Sequence, residues 1–125
     1  MKAIGLGLLG ALTFTGSALA APGDMNVSTF LGKADALKAK GMAAMFSSDL
    51  KVLMAEAKGA GLAYRAMLAQ ERAAGRPSSC PPEKAAINSD QLLTHLKAYP
   101  AAARQSITLR TAMADLFRKS FPCRK

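Results

Sequence analysis

Few side chains in this sequence could carry out a reaction, and His95 is its only histidine. A general base needs a nucleophile or a carboxylate within hydrogen-bond reach. The sequence offers only distant acids such as Asp90 and Asp115, so a histidine at a helix surface or boundary is the better interpretation. We find no nucleophile elbow, phosphate-binding loop, pair of catalytic carboxylates or cluster of metal ligands. We therefore predict that the protein is not an enzyme and uses no cofactor.

The cysteine and methionine side chains are the other candidates for redox chemistry or metal binding. Cys80 and Cys123 are the only cysteines, and they form neither a C-x-x-C redox pair nor a set of metal ligands. An even pair in a small exported domain predicts a structural disulfide. Met42 and Met45 have an M-x-x-M spacing, and thioethers can bind Cu(I). Because methionine also fills irregular cores and adaptable binding surfaces, we predict no metal site.

The beginning of the sequence has the pattern of an export signal. Lys2 precedes a short apolar run, and Ala18-Leu19-Ala20 provides the small-x-small pattern that a signal peptidase cuts. The apolar run is shorter than the roughly 20 residues that span a bilayer. We predict a signal peptide over residues 1–20, a single helical domain over residues 21–125, and a periplasmic or secreted product without stable membrane insertion.

The charge balance indicates the kind of partner. The sequence has 17 Lys and Arg against 8 Asp and Glu, a formal net charge of +9. Export argues against nucleic acid, and the basic residues are scattered rather than clustered. Solvated helix faces explain such a pattern, and so does binding to an acidic partner or to the anionic cell envelope.

Apolar residues recur at helical spacing along the whole of the predicted domain. Asn26 or Ser28 can cap a first helix that ends before Gly41, and an apolar bridge over residues 42–46 follows. The predicted second helix runs from a cap at Ser48 to residue 74, the third covers residues 89–99, and the fourth begins within residues 101–106. We predict an all-α fold, a small bundle of four to five helices with one intramolecular disulfide.

Two glycines interrupt the second predicted helix. Gly59 and Gly61 each disfavour a helix interior by roughly 1 kcal/mol relative to alanine. Close approach of another helix, either from the same chain or from a second copy, would explain them.

The loop over residues 75–82, with sequence GRPSSCPP, is the clearest break between helices. Prolines stiffen it, and the predicted disulfide would hold it to the C-terminus. A loop that is ordered beforehand binds a partner at a lower entropic cost than a free one. We therefore predict partner-binding roles for Arg76, Ser78, Ser79 and the adjacent Lys84, on the expectation that all four are exposed. The loop could equally serve only to join two helices.

The C-terminal part of the sequence resembles the Rap/Tai-type immunity proteins, which protect bacteria against peptidoglycan amidase effectors delivered by type VI secretion. The resemblance covers roughly the last 45 residues. It lies in Cys80-Pro81-Pro82, in a leucine-rich helix that ends at Pro100, in Arg104, and in the closing Phe121-Pro122-Cys123. It implies a periplasmic helical protein, commonly a homodimer, that inhibits its amidase by docking onto the active-site cleft.

Two other functions fit the same observations. A periplasmic acid-stress chaperone of the HdeA type is also small, helical and disulfide-bonded, and exposes apolar surface at low pH. A basic envelope protein would instead bind anionic polymers, and its binding would weaken sharply with salt.

Overall fold

The computed structural model describes residues 21–124, so the predicted signal peptide, residues 1–20, lies outside the described residues, as does Lys125. The described part contains four α-helices, one 3-10 helix and no strand. The elements are α1 Val27–Lys40, a 3-10 segment Gly41–Phe46, α2 Ser48–Ala73, α3 Ser89–Ala98 and α4 Leu109–Ser120. The predicted all-α fold is confirmed. Between residues 21 and 124, no helix is long and apolar enough to cross a bilayer.

Side-chain caps define where the first two helices begin. The Asn26 side chain accepts a hydrogen bond from the Thr29 amide, and α1 ends at Gly41, whose φ of 59° favours glycine. Both ends of α1 agree with the prediction. At α2 the capping residue is Ser47 rather than the predicted Ser48, because the Ser47 hydroxyl accepts from the Asp49 amide.

The fourth helix begins later than predicted. Residues 101–106 form turns instead of helix, and α4 begins at Leu109 with Thr108 as its cap. The reason is a long-range contact with the beginning of α1. The Val27 amide donates to the Ile107 carbonyl, and the Leu109 amide donates to the Met25 carbonyl. These bonds hold the chain extended beside α1, so the helix can start only after Thr108.

The core lies where α4 packs against the other three α-helices. Phe117 of α4 stacks on Tyr64 of α2, with ring centroids 4.8 Å apart, and Leu96 of α3 is completely buried beside them in the same cluster. Other buried members, described from α1 to α4, are Val27, Phe30, Leu31, Leu37, Leu53, Ala60, Leu68, Leu92, Leu109, Ala112, Met113, Ala114 and Leu116.

The apolar residues of α2 differ in burial. Leu53, Tyr64 and Leu68 are buried, whereas Met54 is 64% exposed and Met67 is 36% exposed. Successive helical residues are rotated by roughly 100°, so neighbours of a buried position lie at the margin of the buried face. A long flexible methionine at the margin extends into solvent.

The two glycines of α2 differ in what surrounds them. A Cβ atom on Gly59 would lie 2.8 Å from the Pro22 carbonyl carbon and oxygen, whereas one on Gly61 would meet nothing within 4 Å. The predicted approach of another helix of the same chain is therefore wrong at both positions, because Gly59 is approached by Pro22 of the turn that precedes α1 and Gly61 by no residue of the described chain. The Gly23 amide donates to the Glu56 carboxylate at 2.6 Å and holds that turn against α2.

This difference gives a matched pair of variants two residues apart. Gly61→Ala is expected to raise the free energy of unfolding by up to about 1 kcal/mol, because alanine is the better helix former and its methyl group has room. Gly59→Ala has the same helix preference but is expected to destabilise, because Pro22 must move. Urea denaturation followed by circular dichroism measures both. Equal effects from the two changes would contradict the placement of Pro22.

Candidate functional site

The loop between α2 and α3 is fixed at several points. The disulfide Cys80–Cys123 joins it to the C-terminal end, with a Cα–Cα distance of 4.9 Å, and the Cys80 amide donates to the Phe121 carbonyl at 2.7 Å. From α2, Arg65 donates to the Ala85 carbonyl at 2.6 Å. The predicted disulfide is confirmed, and contacts within the chain hold the loop to α2 and to the C-terminal end.

A directed chain of hydrogen bonds also holds the loop to α2. Glu71 accepts from both the backbone amide and the hydroxyl of Ser78, at 2.9 and 2.6 Å. The Tyr64 hydroxyl lies within hydrogen-bond distance of the Ser78 and Ser79 hydroxyls. Because a carboxylate can only accept and each hydroxyl has one proton, Ser78 donates to Glu71, Tyr64 donates to Ser78, and Ser79 donates to Tyr64. The hydrogen bonds from Ser78 lower the pKa of Glu71, which favours the accepting carboxylate form.

The four residues predicted for partner binding occupy different environments. Arg76 and Lys84 are exposed, as expected. Ser78 is half-buried, and Ser79 is completely buried. The expected exposure of Ser79 is therefore wrong, because its hydroxyl is the partner that the buried Tyr64 hydroxyl requires. Arg76 and Lys84 remain predicted contact residues.

A more prominent surface lies in the 3-10 segment, which sequence reasoning treated only as an apolar bridge. Met42, Met45 and Phe46 are 83%, 70% and 92% exposed, and none of the six residues in the segment is buried. Exposed apolar residues grouped in this way mark interaction sites. Lys40 precedes the segment and Lys51 follows it, and both are exposed.

His95 belongs to a small polar network between α3 and α4. Its Nε2 atom lies 3.0 Å from the Tyr99 hydroxyl, which donates to the Asp115 carboxylate at 2.6 Å. Because the single proton of Tyr99 is directed at Asp115, the Nε2 atom of His95 must be the donor to Tyr99. Burial lowers the pKa of His95, opposed by the attraction of Asp115, and burial raises the pKa of Tyr99, assisted by its bond to Asp115.

The lowered pKa of His95 predicts a pH dependence of stability. Below the ordinary value of 6.5, the unfolded chain takes up a proton that the folded protein still excludes. The free energy of unfolding should therefore fall as the pH decreases from 6.5 towards the folded pKa, and this contribution should become constant below that pKa. Denaturation at a series of pH values measures it. His95→Gln, which cannot titrate, should flatten the profile in this range, and an unchanged profile would contradict the assignment.

The described residues contain no group of three or more His, Cys, Asp or Glu side chains that could hold a metal ion. No protein-family model matches this chain, and no curated protein or solved structure matches it either. The resemblance to the Rap/Tai-type immunity proteins therefore stays a prediction.

Proposed function

We propose that this chain is exported to the periplasm and binds a protein partner there without catalysing a reaction. The proposed partner is a peptidoglycan amidase effector, which the bound protein would inhibit by blocking its active-site cleft. The export pattern of residues 1–20 and the C-terminal resemblance to immunity proteins support this choice of compartment and partner.

The observation that carries the proposal is the exposure of the 3-10 segment. All three exposed apolar side chains, those of Met42, Met45 and Phe46, lie within one short 3-10 helix of six residues. They are therefore close together on the surface. Aromatic residues and methionine are enriched in interface cores, where a few anchors supply most of the binding energy. Phe46, at 92% exposure, is the anchor that we assign.

Charge around the segment indicates the character of the partner surface. Lys38 and Lys40 occupy the last turn of α1, and Lys51 lies in the first turn of α2. An apolar anchor flanked by lysines suits a partner with an apolar cleft and an acidic rim, because complementary charge steers association and fixes orientation.

The polar network around His95 does not have the arrangement of a base that activates a hydroxyl nucleophile. Such a histidine must accept the proton of that hydroxyl. Here the one hydroxyl that His95 contacts belongs to Tyr99, and the proton of that hydroxyl points to Asp115. The arrangement is suited to holding α3 against α4.

Affinity capture from envelope extracts tests the proposal. The oxidised protein is expected to retain a peptidoglycan amidase at moderate salt, and Phe46→Ser should weaken the complex by about 30-fold, the effect of losing an interface anchor. Leu62→Ser is the matched control, because Leu62 is also exposed, at 57%, but lies on α2 away from the 3-10 segment. Equal capture by the two variants would contradict the assigned anchor.

The same capture experiment addresses the loop. Arg76→Ala and Lys84→Ala should each reduce retention only slightly, since exposed charges at the rim of an interface contribute little energy. Capture of many unrelated proteins after acid treatment, or of anionic polymer at low salt alone, would contradict the amidase proposal and favour the chaperone or the envelope-binding function.

A further inference from the structure

Two cavities lie side by side along α2, and we refer to the pair as the groove. The first, about 340 Å³, lies between α1, the 3-10 segment, α2 and α3. The second, about 300 Å³, lies between α2, the beginning of α3 and α4. Ala57, Ser89 and Leu92 line both, so the two cavities adjoin. Each volume is at the lower end of the range of small-molecule sites, roughly 300–1,000 Å³.

The two ends of the groove differ in chemistry. The first cavity is lined mainly by apolar side chains, such as Phe30 and Leu53, and Lys38 and Ser89 are its polar members. The second has two cations, Lys58 and Arg65, at its wall. No Asp or Glu side chain lines either cavity. The groove therefore has a long apolar end and a positively charged end.

Arg65 is held in place at the charged end. It donates to the Ala85 carbonyl at 2.6 Å, and its guanidinium carbon lies 5.9 Å from the centroid of the Phe117 ring. A guanidinium has five N–H donors, and the Ala85 carbonyl takes one of them. The charge is thus positioned beforehand, with donors left for an anion.

Gly61 lines the charged end, and nothing in the chain's own packing explains why it is glycine. A Cβ atom there would meet nothing within 4 Å, and glycine is among the least favourable residues in a helix interior. Its effect is to leave the groove open, because a larger side chain at this position would project into the space between α2 and the beginning of α3.

We propose that this groove binds a medium-chain fatty acid. The carboxylate would pair with Lys58 and Arg65, and the alkyl chain would pass Gly61, Ala57 and Leu92 into the apolar end. A hydrocarbon chain needs no hydrogen-bonding partner, whereas an extended peptide would leave its backbone amides unpaired against these apolar walls. The apolar end of the groove borders the 3-10 segment through Ala44, but the proposal does not depend on the protein-binding role of that segment.

Titration of the purified oxidised protein with laurate, kept below its micelle concentration, tests the proposal by calorimetry and by NMR. Laurate is expected to bind at one site, with affinity rising up to about fourfold for each methylene added from octanoate to laurate. Dodecyltrimethylammonium has a chain of the same length and the opposite charge, and should bind at least about tenfold more weakly because of Lys58 and Arg65. Equal binding of the two amphiphiles, or no binding of laurate, would overturn the proposal.

Two pairs of variants locate the site. Gly61→Leu should reduce the affinity for laurate at least about tenfold by filling the groove, whereas Gly32→Leu, at an equally open position on α1, should leave it unchanged. Lys58→Glu should weaken binding, and Lys51→Glu, one heptad earlier on the same helix and outside the groove, should not. Circular dichroism checks that each variant folds.

Loss of laurate binding in both members of a pair, or in neither, would overturn the proposed site. The proposal would also be overturned if the NMR chemical shifts of the groove residues changed with protein concentration in the absence of laurate. Such changes would indicate that a second copy of the chain fills the groove.

Discussion

Replacement of both Cys80 and Cys123 by serine is expected to lower the free energy of unfolding by about 4 kcal/mol. The disulfide joins positions separated by 43 residues, and cross-linking a loop of that length removes about this much conformational entropy from the unfolded chain. The loss is a large part of the stability of a small domain, typically 5–15 kcal/mol. The comparison is by urea denaturation.

Adding a reductant to each protein distinguishes the loss of the disulfide from damage that the serine substitutions themselves cause to the fold. The wild-type protein should lose the same stability when a reductant is added, whereas the double serine variant should not respond to reductant at all. If the variant and the oxidised wild type unfolded at the same urea concentration, the disulfide would not stabilise the fold, and the rigidity that we assign to the loop between α2 and α3 would have to come from hydrogen bonds alone.

Replacement of Tyr64 by alanine is expected to cost about 3–5 kcal/mol, the usual effect of deleting a large buried aromatic side chain. Tyr64 is 1% exposed and packs against Phe117, so the change opens a cavity where α2 meets α4. It also removes the hydroxyl that links Ser79 to Ser78 in the hydrogen-bond chain.

Tyr64→Phe separates the contribution of the ring to packing from that of the hydroxyl to hydrogen bonding. The ring remains, but the buried Ser79 hydroxyl loses its acceptor, which should cost about 1–3 kcal/mol. In the double variant Tyr64→Phe with Ser79→Ala the cost of the unpaired hydroxyl should largely disappear. A double variant that is less stable than the sum of the single changes would contradict the hydrogen bond between Tyr64 and Ser79.

Local signals predicted most of the helices correctly. Asn26 before an apolar stripe and Gly41 after it mark the two ends of α1, and both act through neighbouring residues. The beginning of α4 depends instead on backbone bonds from residues 107–109 to the segment before α1. Such pairings join distant parts of the chain, and no pattern within residues 101–108 indicates them.

The candidate binding surfaces were harder to predict than the fold. Ser79 sits in a polar, proline-rich loop that suggests exposure, and only the requirement of a buried tyrosine hydroxyl for a partner could have indicated otherwise. Met42, Met45 and Phe46 have the hydropathy of core residues. Hydropathy says which side chains favour burial but not whether another element of the same chain covers them, and in the described structure none does.

We propose that this protein acts by covering a peptidoglycan amidase through the 3-10 segment. The most direct measurement is the rate at which the captured amidase releases peptides from purified cell-wall sacculi, with and without an equimolar amount of the oxidised protein. We predict that the wild-type protein and Leu62→Ser inhibit the release, and that Phe46→Ser restores most of it, since the anchor supplies much of the binding energy. Undiminished peptide release in the presence of saturating wild-type protein would contradict the claim.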